Sequence, residues 1–272
     1  MLKYTVASIV ALWTISISHA SQSPRLTITS LMDVADESSV YPSPRCSPRG
    51  MEAIDFFDYD DVIATPRDNE LEQETGLHEG PKTQQALLKL HMQQSKKLIL
   101  TSRGWRYLAE EPDGEAIEIF KGIADEMLLN VHEGMDVENL FSEPFGKEVR
   151  YFKIPDTDSF MVVYRSVIFA GIHKGKALSL FLQEMVKKLV SEAKEGEDPG
   201  LPKSISMTDD NENYLWQIEQ ELDSGLKGIM TRLYHFKITE DVVEKSEDQT
   251  HTQASSVTDS HETIVNPIEG NI

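Results

Sequence analysis

Apolar residues recur at steps of three and four in three long stretches of the chain. From 114 to 131, Ala116, Phe120, Ile123, Met127 and Val131 fall on one face, with Ile119 and Ala124 beside them. Such a stripe predicts an amphipathic helix laid on a core. Asp113, after Pro112, stands where an N-cap is needed, and Glu115 suits the positive helix end. The pattern returns over 176 to 193 with Leu178, Phe181, Leu182, Met185, Leu189 and Val190, leaving Lys187 and Lys188 outside. It returns again over 212 to 230 with Leu215, Ile218, Leu222, Leu226 and Ile229. A shorter run, 82 to 95, places Ala86, Leu87 and Leu90 on a fourth helix face.

A different period lies between them. Residues 148 to 154 alternate, and 159 to 172 are dense in Val, Ile, Phe and Tyr, which predicts strands. Pro155-Asp156-Thr157-Asp158 between them is turn sequence, because Pro presets φ and Asp bonds its own backbone, so an antiparallel hairpin is expected. Leu98 to Leu100 and Leu233 to Ile238 supply two further short strands. The resulting order points to an α+β fold: a small, mainly antiparallel sheet packed by three to four amphipathic helices.

The ends of the chain show no such periods. Residues 1 to 20 hold Lys3, an apolar run from Val6 to Ile17, and Ser18-His19-Ala20, the layout of a secretory signal cut after Ala20. That run is too short and too interrupted by Ser and Thr for a membrane anchor, so no span is expected after cleavage. Residues 21 to 80 read as a disordered acidic leader, interrupted by Ser23-Pro24-Arg25, Ser43-Pro44-Arg45, Ser47-Pro48-Arg49 and Thr65-Pro66-Arg67. Residues 241 to 272 read as a disordered polar tail, leaving 81 to 240 as the globular domain.

Charge changes this picture in one respect. The formal net charge is −20, which disfavours generic binding to nucleic acid or anionic lipid. With Lys3 removed, the leader carries −9, the domain −6 and the tail −6, so the domain is close to an ordinary balance. A local basic face around Lys174 and Lys176 or around Arg103 and Arg106 therefore remains compatible with the total.

Motifs for chemistry are sparse. There is no Gly-x-Ser-x-Gly, and Cys46, the single cysteine, lies in the Pro-rich leader, where it suits a disulfide-linked dimer better than catalysis. The histidines lack ligand spacing, and Asp55 to Asp61 lacks the glycine of a calcium loop, so no metal ligand, catalytic residue or cofactor is expected. Gly171-Ile172-His173-Lys174-Gly175-Lys176 joins a strand to a helix, so His173, Lys174 and Lys176 form a candidate anion site at a helix start. It matches neither Gly-x-Gly-x-x-Gly nor the P-loop. Phe56, Phe57 and Tyr59, interleaved with acids in the leader, are the first candidates for binding a protein partner, followed by Arg103, Trp105 and Arg106.

These features favour a secreted, noncatalytic, effector-like interaction protein that binds a host or extracellular protein. A domain without disulfides would keep its fold after entry into a reducing host cell. The alternatives are a secreted hydrolase whose site is assembled only in three dimensions, and a noncatalytic surface or extracellular structural protein.

Overall fold

The computed structural model describes residues 25–40, 53–66, 75–78, 80–91, 95–133, 135, 140–225 and 229–237. The signal segment, Cys46 and the tail from 241 lie outside the described residues. The protein is built on one eight-stranded sheet ordered β1-β10-β9-β2-β5-β8-β7-β6. Its strands are β1 (Arg25–Ile28), β2 (Ala53–Phe57), β5 (Lys96–Thr101), β6 (Arg150–Lys153), β7 (Phe160–Tyr164), β8 (Val167–Phe169), β9 (Ser204–Asp209) and β10 (Met230–Phe236). β3 (Ala64–Pro66) and β4 (Thr75–Leu77) form a separate antiparallel pair. The helices are α1 (Leu31–Val40), α2 (Pro81–His91), α3 (Gly114–His132), α4 (Lys174–Glu192) and α5 (Glu212–Gly225).

This corrects the fold class expected from sequence. Among the described residues the sheet is large and mostly parallel, with five helices, where a small, mainly antiparallel sheet with three to four helices was expected. Six neighbouring strands from β1 to β8 run parallel, and only β8-β7 and β7-β6 are antiparallel. The segment expected to be a leader supplies β1, α1 and β2, and β2 sits inside the sheet between β9 and β5.

The physical reason is double-sided burial. Strands covered by helices on both faces are apolar at successive positions and show no alternation. One face gathers Phe57, Ile99, Val167, Phe169, Tyr234 and Phe236 with the apolar stripes of α1, α2 and α3. The other gathers Ile54, Phe56, Leu98, Leu100, Ile168, Ile205 and Met207 with α4 and α5. In β2, Ile54 and Phe56 point to the second layer while Phe57 points to the first, so Phe56, Phe57 and Tyr59 are core side chains with no exposed surface.

The helices follow their sequence signals more closely. Asp113 caps α3 by accepting a hydrogen bond from the Ala116 N–H at 2.9 Å. The run from 159 to 172 resolves into β7 and β8, separated by Arg165-Ser166, with Arg165 in the left-handed region at φ 52°. β6 and β7 pair antiparallel across the Pro155 to Asp158 turn.

Topology fixes where a ligand can sit. From β2 the chain moves outward through β5 to β8 on one side, then returns to β9 and β10 on the other. The order reverses between β2 and β9, and in open α/β sheets the crevice beyond the carboxyl ends of such strands is the binding position.

Candidate functional site

Asp58 follows the last residue of β2, and Asp209 is the last residue of β9, so the reversal point brings two acids together. The Asp58 N–H donates to the Thr208 carbonyl at 2.9 Å, which extends the β2-β9 pairing and fixes the backbone at this point. Lys174, at the start of α4, reaches between the two acids: its Nζ lies 2.6 Å from Asp58 Oδ2 and 2.8 Å from Asp209 Oδ2. The Lys174 side chain is wholly buried and its ammonium also faces the Tyr214 ring, 4.5 Å from the centroid. Close crossing of α4 and α5 makes that contact, and it depends on Gly175: a Cβ there would lie 2.6 Å from the Gln217 carbonyl oxygen.

The remaining carboxylate oxygens are also oriented. Asp58 Oδ1 accepts from the Tyr59 N–H at 2.8 Å, and Asp209 Oδ1 accepts from the Asn211 N–H at 2.9 Å. Asp210 is next to them, and one oxygen each from Asp58, Asp209 and Asp210 falls within 4.8 Å of the others. Three carboxylates around one ammonium leave negative charge unbalanced. Burial pushes Asp58 up to about 8, with Asp209 and Asp210 adding to the rise and Lys174 opposing it. Burial likewise raises Asp209 and Asp210 above the usual carboxylate range, again against Lys174. Burial works against charge on Lys174, but Asp58 and Asp209 outweigh it and raise its affinity for the proton. The ammonium therefore persists, and the acids hold surplus charge that a proton or a cation must offset.

Oxygen ligands from carboxylates at this spacing suit a hard divalent ion of the magnesium type, which binds through one or two carboxylates and keeps several waters. Asp58, Asp209 and Asp210 are the residues that would hold it.

The second wall comes from β5. Thr101 ends that strand, and its Oγ1 accepts from the Arg103 N–H at 3.1 Å. Arg103 then grips Asp60 with its Nε at 2.9 Å and its terminal nitrogen at 2.6 Å from Oδ1, and its guanidinium lies 4.9 Å from the centre of the Tyr59 ring. Asp60 is held two residues beyond Asp58 and, unlike it, keeps part of its side chain exposed. Asp61 adopts φ 58°, and its N–H donates to the Ala64 carbonyl at 2.7 Å, turning the chain into β3.

The residues singled out from sequence separate into four groups. Lys174 and Arg103 stand at the acidic site, although Lys174 is enclosed by carboxylates and not open to solvent. His173 is the N-cap residue of α4, and Lys176 Nζ donates to the Pro155 carbonyl at 3.4 Å. Trp105 and Arg106 are exposed beyond Arg103, with the Arg106 guanidinium 5.5 Å from the centre of the Trp105 ring. Phe56, Phe57 and Tyr59 cannot bind a partner without unfolding the core, and Phe56 meets Phe181 edge to face at 5.8 Å. Sequence reasoning did not single out Asp58, Asp60, Asp209 or Asp210. Their common signal is position: Asp58 and Asp60 come just after β2, Ala53–Phe57, and Asp209 and Asp210 stand at the end of β9, Ser204–Asp209.

A cavity of about 460 Å³ opens elsewhere, lined by residues including Asp125, His132, Lys147 and Arg165. Arg165 there is neutralised by Glu143 at 3.0 Å and Asp125 at 3.1 Å, so it offers no surplus charge for chemistry. Compared with protein families, curated proteins and solved structures, the chain matches none.

Proposed function

We propose that the protein is a divalent-cation-dependent phosphoryl-transfer enzyme that hydrolyses phosphate monoesters through a phosphoryl group carried transiently on Asp58. The observation that carries this reading is the buried Lys174 ammonium bridging Asp58 and Asp209, with Asp210 beside them, at the reversal point of a parallel sheet. It favours the hydrolase alternative over a noncatalytic binding role.

Phosphoryl transfer demands positioning and stabilisation of charge more than elaborate covalent chemistry. A divalent ion held by Asp58, Asp209 and Asp210 would neutralise phosphate oxygens and leave a carboxylate oxygen free to attack. Carboxylates are established nucleophiles toward phosphorus. Asp58 is the better placed of the two acids on Lys174, because its strand borders β5, which ends in Thr101, and Asp60, held by Arg103, follows two residues later. Lys174 fixes the carboxylate and supplies positive charge where phosphate oxygens would lie. Thr101, which ends the neighbouring strand β5, and Ser102 after it are hydroxyls at the same end of the sheet.

In the first step an Asp58 oxygen forms a bond to phosphorus while the ester P–O bond breaks, and the departing oxygen takes a proton from solvent or from Asp60. In the second, a water oxygen attacks phosphorus, its proton passes to Asp60, and cleavage of the Asp58–phosphorus linkage releases inorganic phosphate. Arg103 orients Asp60 for both exchanges.

Phosphate release from p-nitrophenyl phosphate tests this directly. The full chain should be active with Mg²⁺, inactive with excess EDTA, and inactive as Asp58→Asn. Undiminished turnover in Asp58→Asn, or in EDTA, would overturn the proposal.

A further inference from the structure

The loops beyond the carboxyl ends of β5 and β8 carry two large apolar residues that packing leaves uncovered. Trp105 is 57% exposed and Ile172 is 59% exposed. They lie on the loops following β5 and β8, two neighbouring parallel strands. The loops touch at Gly171, where an added Cβ would lie 3.4 Å from the Trp105 Cβ and 3.7 Å from its Cα. Gly171 has φ 56°, so both the turn and the close approach call for glycine.

Each loop is also tied to the chemistry. Two residues before Trp105, Arg103 is clamped on Asp60 at 2.6 Å. Two residues after Ile172, Lys174 is clamped on Asp58 at 2.6 Å. The apolar pair is thus registered to the same end of the sheet as the acids by a short chain on each side. Arg106 over the indole restrains the ring where it is.

Charge narrows what can lie there. Asp60, Asp61 and Asp210 bring three carboxylates to this end of the sheet, and among the described residues only Asp60 of the three is paired with a guanidinium, Arg103 at 2.6 Å. A substrate whose non-phosphate portion carried further anionic groups would meet this field unfavourably, whereas an uncharged ring would meet Trp105 and Ile172.

We infer that the phosphate ester taken by this site has an uncharged aromatic leaving group, which lies on the Trp105–Ile172 ledge while its phosphate faces Asp58 and Lys174. The inference rests on the phosphoryl-transfer reading of the site and specifies its substrate class. In the transfer the aryl oxygen leaves phosphorus as a phenolate and is protonated by solvent as the bond to Asp58 forms.

Phenolate is an intrinsically better leaving group than an alkoxide, so a bare preference for aryl esters does not decide the matter. The deciding comparison is Trp105→Ala against the unaltered full chain, with phenyl phosphate and glycerol 3-phosphate as separate substrates in Mg²⁺. Loss of one aromatic face should lower kcat/KM for phenyl phosphate about tenfold, mostly through KM, and leave glycerol 3-phosphate unchanged. Trp105→Phe should recover most of the loss, and Ile172→Ala should lower phenyl phosphate turnover by a smaller factor. Because both side chains are largely exposed, these variants should keep the melting temperature of the parent. Equal effects on both esters, or none on either, would overturn the ledge while leaving the hydrolase reading intact. Failure of the unaltered chain to release phosphate from either ester would overturn both.

Discussion

Two buried lysine–aspartate clusters share the central strands β2 and β9, and their difference separates a structural device from a reactive one. Toward the amino ends, Asp55 of β2 accepts from Ser95 Oγ at 2.5 Å and from Ser206 Oγ at 2.6 Å, while Lys97 of β5 donates to Ser95 Oγ at 2.8 Å. One acid accepts from two hydroxyls, one on each carboxylate oxygen, and the lysine donates to the Ser95 hydroxyl. At the carboxyl ends, one lysine serves two acids directly, with a third alongside. Burying a balanced, fully bonded pair is tolerable, but surplus buried charge is costly and is kept where something else must bind.

The largest separation between the clusters is expected in catalysis. Asp58→Asn should reduce turnover of aryl phosphates by on the order of a thousandfold or more, as loss of a covalent nucleophile does. Asp55→Asn should leave kcat unchanged and instead cost about 1–3 kcal/mol of stability through its two weakened hydroxyl contacts, read by urea unfolding. If Asp55→Asn were the variant that lost activity, the assignment of the two clusters would be reversed.

Stability of the lysine variants comes next. Lys174→Gln leaves buried acids without their counter-charge, and unfolding at pH 9 should show a loss of about 3–5 kcal/mol. The loss should shrink toward pH 5, where Asp58, raised to about 8, can take a proton in place of the missing ammonium. A loss independent of pH would indicate packing alone.

Metal binding sharpens the contrast further. Mg²⁺ at a hundred times its Kd should stabilise the parent chain by about 2.7 kcal/mol, by mass action. Asp209→Asn and Asp210→Asn should abolish that gain, whereas Asp55→Asn should keep it. Asp58 holds a proton below about 8 that the cation must displace, so Mg²⁺ affinity should rise with pH up to that point and level off above it. Calorimetry in buffers of different ionisation heat would count the proton released. By the same shift, the metal-free chain should lose stability as pH rises toward 8, because the folded state binds a proton that the unfolded state has already released.

The smallest effect lies away from both clusters. Burial, with Arg165 assisting, lowers the pKa of His132 below its ordinary value. The unfolded chain therefore takes up the proton first, and this stabilisation is present above the ordinary histidine range and lost as pH falls. His132→Asn should flatten the acid side of the melting-temperature profile, leaving catalysis unaltered.

Four helices were legible because one face of each meets water: Phe120, Met127 and Val131 of α3 recur against an exposed opposite side, whereas α1 lay in the segment expected to be a leader. The central strands were not legible by the same rule. Ile54, Phe56 and Phe57 are buried on opposite faces, and the acids before and after them made the segment resemble a solvated acidic-aromatic patch. β9, Ser204–Asp209, holds only Ile205 and Met207 as large apolar residues, so its place in the sheet came from pairing with β2 and β10. Lys174 and Arg103 drew attention as basic residues beside glycine and aromatics. Their partners did not, because Asp58 and Asp209 are separated by 150 residues of sequence and meet only through strand order. A strand with acids at its carboxyl end, met at Asp58 and again at Asp209-Asp210 with helices between, is the pattern that would have joined them.

The central claim is that Asp58 carries the phosphoryl group, and acid-quenched turnover followed by peptide mass spectrometry tests it most directly. With an aryl phosphate and Mg²⁺, a phosphoryl adduct should appear on the peptide containing Asp58, vanish in Asp58→Asn, and be absent when EDTA is present from the start. Release of phosphate at the parent rate with no adduct, or with the adduct on any other residue, would contradict it.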